Sequence, residues 1–218
     1  MAEYIMTQFA QLNVKQNNMN FTLYDKALSD KITVQGTATM KKMLANENRL
    51  MVSNAKKYGI KCHRDTNHRY DGRSYRYHLT MVHDFFNKYS YLIKDHEDFF
   101  YAKASCFTHD TIEDARQTLN DVIKACGVKI GELSYALSNE KGRVRDERAN
   151  AKYYADMRKV PLAPFVKICD RLANAAYSSM KKGKMYDGYA KELDHFEEEL
   201  FDEKYAIMFD ELRKILNK

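Results

Sequence analysis

One short stretch of the sequence, CFTHDTIEDA, concentrates side chains that can carry chemistry. It places one imidazole, His109, and three carboxylates, Asp110, Glu113 and Asp114, within six residues, directly after the aromatic run FFYAKASCF. Imidazoles and carboxylates bind divalent cations, and both can also accept a proton from water. The stretch is therefore a candidate for metal binding, for acid–base catalysis, or for both.

A helical projection places several such groups on apolar faces. At about 100° per residue, Asp110 falls inside an apolar stripe and His109 lies at its margin. His78 projects to the middle of another apolar face, and Asp170 and Asn174, at i and i+4, lie together at the edge of a third. Burying an ionised carboxylate without partners costs several kcal/mol, which is comparable to the stability of a domain. One divalent metal bound by His78, His109, Asp110 and Asp170 would balance these charges.

Each of these residues also has a simpler explanation when taken alone. His78 can be a hydrogen-bonded histidine of the core, Asp170 can form a salt bridge with Arg171, and an HD pair occurs by chance in many proteins. His83 projects to a different face from His78, so the two do not form a two-histidine motif on one helix. The ordered set of four residues, each on a predicted helix, favours the shared metal site.

The composition favours helices that could position these groups. The chain of 218 residues has only 2 Pro and 8 Gly, with 44% hydrophobic and 30% charged residues, which is typical of a globular protein with one core. The pattern predicts a helix that ends near Gly59, and another with Thr118 as N-cap and Gly127 just past its end. Pro161 or Pro164 is predicted to open a further helix. The predicted fold class is all-α.

The remaining sequence features limit the domain organisation, the cellular location and the kind of partner that can be expected. Residues 1–36 are predicted to be an N-terminal extension in which FTLYDKALSDKITVQG could form a short β-hairpin, and 37–218 the main domain. The four cysteines show no CxxC spacing and are predicted to be reduced thiols of a cytoplasmic protein. No leader or membrane span is predicted. The net charge of +6 is compatible with a nucleotide or, less favourably, a nucleic acid as partner.

Three stretches resemble the hydrolase domains of the RelA/SpoT group, within the HD phosphohydrolase superfamily. HRYDGRSYRYHLTMV resembles the family's arginine followed by Gly-x-x-Tyr-x-x-His, HDTIEDA resembles its HD-x-x-ED signature, and FVKICDRLANAAYS resembles its K-x-x-D-R-x-x-N helix. The resemblance spans roughly 60 to 180. It implies a single HD-type helical bundle like that of the free-standing small alarmone hydrolases.

The resemblance also implies a metal-dependent reaction. Glu113 and Asp114 would orient or deprotonate the attacking water, and one manganese ion would be bound by four residues, His78, His109, Asp110 and Asp170. The family removes the 3′-pyrophosphate of guanosine alarmones, ppGpp or pppGpp, and leaves GDP or GTP. Adenosine counterparts such as (p)ppApp are included among the expected substrates.

Substrate-binding residues follow from the same resemblance and from charge. Arg69 matches a basic residue that lies against the base, and Asn174 matches a residue that contacts the ribose. Arg145 and Arg148, with Arg143 and Lys152, fall largely along one side of a predicted helix and could hold the pyrophosphate. Alternatively, that side of the helix is simply exposed to solvent, with acidic residues between the basic ones.

Departures from the family pattern leave other functions open. Leu79 follows the first histidine where proline is common, and Ala173 and Tyr177 replace residues usual beside the ribose. These changes affect the nucleotide pocket rather than the metal ligands. Two alternatives therefore stand beside alarmone hydrolysis: a phosphohydrolase acting on another nucleotide, and a non-catalytic module that binds nucleotide or RNA. The oligomeric state is left open.

Overall fold

The computed structural model describes residues 23–138 and 149–217, with side chains from Thr39 onward. Within these ranges the chain forms ten α-helices: α1 (Leu23–Asp65), α2 (Arg76–Tyr89), α3 (His96–Ser105), α4 (Thr111–Asp114), α5 (Leu119–Cys126), α6 (Val128–Leu137), α7 (Ala151–Arg158), α8 (Ala163–Ser179), α9 (Lys184–Leu200) and α10 (Ala206–Leu216). The predicted all-α class is confirmed. None of the described helices has both the length and the hydrophobicity needed to cross a membrane.

One short hairpin accompanies the helices, and it differs in position from the predicted one. Strands β1 (Arg69–Tyr70) and β2 (Arg73–Ser74) pair antiparallel in the segment that connects α1 to α2. The N-terminal segment expected to contain a hairpin is helical from Leu23 onward, and residues 1–22 lie outside the described part. Its short β-branched runs do not outweigh the helical context in which they lie.

The chain divides into two compact units, Met1–Asn46 and Glu47–Lys218. The second unit contains the helices from α2 to α10 and all of the residues discussed below. Its core is built around α8, which contacts α2, α3, α6, α7, α9 and α10. Most of the side chains of α8 are buried, among them Phe165, Ile168 and Leu172. Burial on nearly every side is typical of a helix at the centre of a core.

Local signals explain where several helices begin and end. Thr118 and Asp121 form a reciprocal capping box at the start of α5, and Gly127 follows its end with φ of 94°, as predicted. Pro164 lies in the first turn of α8, where its missing N–H costs nothing. The C-terminal segment forms two helices, α9 and α10, because the chain is extended at Phe201 and Asp202.

Gly59 does not end α1, which continues to Asp65. A Cβ atom at position 59 would overlap the backbone carbonyl of Phe107, so only glycine allows this close approach. The glycine is therefore a packing residue within the helix rather than a C-cap. The segment that it contacts leads directly into His109 and Asp110.

Candidate metal centre

Four predicted metal ligands meet in one buried cluster. His78 lies on α2, His109 and Asp110 lie in the turn between α3 and α4, and Asp170 lies on α8. One ligand atom from each residue lies within 4.8 Å of all the others. The Nε2 atom of His78 is 3.1 Å from Oδ1 of Asp170, and the Nε2 atom of His109 is 2.9 Å from Oδ2 of Asp110. The sequence therefore correctly predicted which residues converge.

The spacing of these atoms fits a bound cation. Nitrogen and oxygen ligands lie about 2.0–2.2 Å from a small divalent ion, so neighbouring ligand atoms are separated by about 3 Å. The two imidazole Nε2 atoms are 3.3 Å apart, and both face the carboxylates. All four residues are buried. The residues could thus hold a divalent metal ion, and a mixed nitrogen and oxygen set does not by itself select one metal.

His109 and Asp110 reach the cluster through an irregular turn, which differs from the continuous helix assumed for the projection. Helix α3 ends at Ser105, and the backbone N–H of His109 donates to the Ser105 carbonyl at 2.9 Å. The Ser134 hydroxyl donates to Oγ1 of Thr108 at 2.8 Å and ties this turn to α6. Consecutive helical residues point about 100° apart, so the turn is what directs two adjacent side chains to one point.

The two imidazoles are held in different ways. The Nδ1 atom of His109 lies 3.1 Å from the Cys106 carbonyl, which fixes a proton on Nδ1 and leaves the Nε2 lone pair for the cluster. The Nδ1 atom of His78 has no hydrogen-bond partner among the described residues. Its ring is instead stacked on Tyr70, with centroids 4.9 Å apart and planes inclined by 16°.

Neighbouring side chains orient the two carboxylates. Asn174 donates to Oδ1 of Asp170 at 2.6 Å, and the ammonium of Lys167 lies 3.3 Å from Oδ2. The hydroxyl of Tyr75 donates to Oδ2 of Asp110. Lys167 and Tyr75 were given no role in the site from the sequence, although the motifs K-x-x-D-R-x-x-N and Gly-x-x-Tyr-x-x-His contain them. Their positions at i−3 from Asp170 and at i−3 from His78 are the signal that could have assigned them to it.

Charge inside the cluster favours ionised carboxylates. Burial alone would raise the pKa of both aspartates, but His109 holds the pKa of Asp110 well below its usual range, and Lys167 does so for Asp170. Burial alone would lower the pKa of His109, but Asp110 and Asp170 raise it to about 10. A proton on His109 and a cation bound by the cluster would therefore compete for the same position.

The predicted water-activating residues lie beside the cluster. Glu113 and Asp114, on α4, line a cleft of about 180 Å³ together with Asp110, Lys167 and Asp170. Asp114 lies at the exposed rim. Partial desolvation, followed by the negative charges of Asp110 and Glu113, raises the pKa of Asp114 to about 7. A carboxylate of this basicity can accept a proton near neutral pH.

A second cavity, of about 350 Å³, adjoins the cleft and was not predicted from the sequence. The two share Asn174 and Tyr189. Its lining combines aromatic rings, cations and one carboxylate, and includes Tyr70, Asp71, Tyr177, Lys181, Lys184 and Tyr186. Asp71 accepts a hydrogen bond from the Tyr177 hydroxyl at 2.6 Å and forms an ion pair with Lys181. Aromatic faces beside cations are suited to a planar base that carries anionic groups.

The predicted substrate-binding residues are only partly placed. Asn174 lies between both cavities, with its amide bonded to Asp170 and to the hydroxyl of Tyr70 at 2.9 Å. Arg69 is exposed and donates to Asn67 at 3.1 Å, while the next two residues, rather than Arg69 itself, line the second cavity. Arg145 and Arg148 lie outside the described residues.

Two simpler explanations do not fit the geometry. Arg171 pairs with Glu192 at 2.8 Å, and not with Asp170, and its guanidinium also lies 4.3 Å from the ring centroid of Phe196. His78 is not an isolated histidine of the core, because it faces His109 and two carboxylates. The four side chains therefore form one cluster that could hold a metal ion, rather than a set of independent core contacts.

Comparison with known proteins adds no assignment. A scan against protein-family models gives no match, and a search of curated proteins also gives none.

Proposed function

We propose that the protein is a manganese-dependent phosphohydrolase that removes the 3′-pyrophosphate of guanosine alarmones, with adenosine alarmones as possible further substrates. The observation that carries the proposal is the convergence of His78, His109, Asp110 and Asp170. The HD-x-x-ED and K-x-x-D-R-x-x-N resemblances supply the substrate class. The four free cysteines fit a reducing cytoplasm as the place of this activity.

The chemistry would be divided between a cation and the protein. When bound by the four ligands, a divalent ion supplies Lewis-acid polarisation of a phosphoryl oxygen and makes water more acidic. Glu113 and Asp114 would orient that water and take its proton, since both line the cleft with Asp110 and Asp170. Lys167, which is half-buried beside Asp170, would offset the negative charge of the carboxylates.

The second cavity supports a nucleotide as the substrate. Tyr70, Tyr177 and Tyr189 would contact the base, and Lys181 and Lys184 would attract phosphate groups. Because Asn174 borders both cavities, a nucleoside placed in one cavity would lie next to the metal ligands in the other. Arg69, Arg145 and Arg148 remain proposed substrate contacts on the strength of their charge and of the resemblance.

The test is a hydrolysis assay on metal-reconstituted protein. The substrates are ppGpp, pppGpp, ppApp and pppApp, beside nucleoside monophosphates, and products are identified by mass. We expect release of pyrophosphate from the guanosine alarmones with manganese, and none after chelation. Orthophosphate release from a monophosphate would instead support a different phosphohydrolase. Binding of ppGpp without any turnover, in protein that holds manganese, would support a non-catalytic module.

A further inference from the structure

Tyr75 links the metal centre to a part of the fold that the proposed chemistry does not use. The residue directly precedes α2 and is 7% exposed. Its hydroxyl donates to Oδ2 of Asp110, the oxygen that also faces His109 and His78. Its ring belongs to a small buried cluster with Leu79 and Phe107. The phenol is therefore fixed by its surroundings while its polar end reaches a metal ligand.

Two histidines from the end of α1 and the loop after it pack against the Tyr75 ring. The ring centroids of His63 and His68 each lie 4.1 Å from that of Tyr75, with planes inclined by 25° and 24°. The two imidazole centroids are 5.1 Å apart, so the rings lie on the same side of Tyr75. If the two imidazoles lay on opposite faces of Tyr75, the distance between their centroids would be about twice the distance from each centroid to that of Tyr75.

Burying this pair of histidines costs free energy that an apolar side chain would not. The Nδ1 atoms of His63 and His68 are 2.9 Å apart, which is the distance of a hydrogen bond between the two rings. His63 is 1% exposed, and its Nε2 atom has no hydrogen-bond partner among the described residues. An unpaired buried polar atom costs about 1–3 kcal/mol, which an apolar side chain would avoid. Neither histidine belongs to the metal-ligand cluster, so a role in ligation does not account for them.

We propose that Tyr75 is a positioning residue for the metal ligand Asp110, and that His63 and His68 set the orientation of the Tyr75 ring. A terminal carboxylate rotates about a broad torsion, so a fixed donor is needed to keep one oxygen directed at the cation. Mutating a hydrogen-bond partner of a metal ligand typically costs about 10–100-fold in metal affinity. The inference rests on the metal site of the proposed function.

The experiment measures Mn²⁺ affinity by competition with a chelating indicator, together with the melting temperature of each metal-free protein. Tyr75→Phe removes the hydroxyl and keeps the ring. Tyr58→Phe is the matched control, because Tyr58 is a half-buried tyrosine whose hydroxyl donates at 2.8 Å to Gln117, which is not one of the four ligands. His68 is half-buried, so His68→Ala and His68→Phe test the stack without emptying the core.

We expect Tyr75→Phe to weaken Mn²⁺ binding about 10–100-fold and Tyr58→Phe to leave it unchanged. His68→Ala should also weaken binding, and His68→Phe should restore it, because the aromatic contact returns. Equal Mn²⁺ affinity in wild type and Tyr75→Phe would overturn the inference alone. An equal loss in Tyr58→Phe would overturn it as well, since the effect would then be general. If wild type binds no Mn²⁺, the inference and the proposed function both fail.

Discussion

The Nε2 atom of His78 lies 3.1 Å from Oδ1 of Asp170, although the two residues belong to different helices, α2 and α8. Helix α2 packs closely on α8 in the core, and this packing brings the two side chains together. The Lys167 ammonium and the Asn174 amide hold Asp170 from its own helix. The contact is thus a product of tertiary packing, with local hydrogen bonds that refine it.

Replacing Asp170 should remove the metal-dependent gain in stability. At a Mn²⁺ concentration 100 times the Kd, wild type should gain about 2.7 kcal/mol in free energy of unfolding. Asp170→Asn should gain far less, because one ligand is lost. Urea unfolding with and without Mn²⁺ measures the difference, and Asp210→Asn, at an exposed aspartate on α10, is the control. An equal gain in Asp170→Asn would show that Asp170 is not a ligand.

Replacing Glu113 should separate catalysis from metal binding. Glu113 lines the cleft without belonging to the ligand cluster, so Glu113→Gln should retain Mn²⁺. Its kcat for pyrophosphate release should fall by about 10²–10⁴-fold, the usual contribution of a general base. Glu203→Gln, at an exposed position, should keep full activity. A Glu113→Gln variant with unchanged kcat would remove Glu113 from the proposed mechanism.

Replacing Gly59 should disturb the turn that carries His109 and Asp110. A methyl group at this position overlaps the Phe107 carbonyl, so Gly59→Ala should lower the free energy of unfolding by about 1–3 kcal/mol or more. It should also weaken Mn²⁺ binding, because the turn must move. Gly188→Ala, on α9, is the control. A Cβ atom at this position meets nothing within 4 Å, so the change should raise the free energy of unfolding by about 0.5–1 kcal/mol. Equal effects of the two changes in urea unfolding would contradict the packing role of Gly59.

Asp114 should make the metal-free protein less stable as the pH rises. Partial desolvation, then the charges of Asp110 and Glu113, raise its pKa from an ordinary 3.8 to about 7, so the folded state binds this proton more tightly than the unfolded chain does. The stabilisation that results is fully present below pH 3.8 and is lost as the pH rises through about 7. Measured by urea unfolding across this pH window, the free energy of unfolding should fall more steeply with pH for wild type than for Asp114→Asn. Identical slopes of unfolding free energy against pH would mean that the pKa of Asp114 is not raised in the folded protein.

The sequence predicted the features that depend on local signals. The Thr118 cap and Gly127 stop of α5 are set by residues within the helix ends, and both were confirmed. The four ligands were predicted from residue order and apolar faces, and they do converge. The prediction held even though His109 and Asp110 lie in a turn and not on the projected helix, because buried charges require partners wherever the chain places them.

Features that depend on distant contacts were not predictable in the same way. The turn before His109 is shaped by Ser134 and by the close approach of Gly59, and neither contact leaves a periodic signal. Gly59 was interpreted as a helix end because glycine commonly has that role. The contact of Tyr75 with Asp110 also arises from packing between segments. The hairpin at Arg69–Ser74 is different, because its two-residue Asp71-Gly72 turn, with φ of 49° and 78°, is a local signal that was missed.

The most direct test of the metal site is anomalous diffraction at the manganese absorption edge from crystals grown with Mn²⁺. The account predicts one strong anomalous peak per chain, between the Nε2 atoms of His78 and His109 and the carboxylates of Asp110 and Asp170. A map with no peak among these four side chains, or with manganese only at other positions, would contradict it.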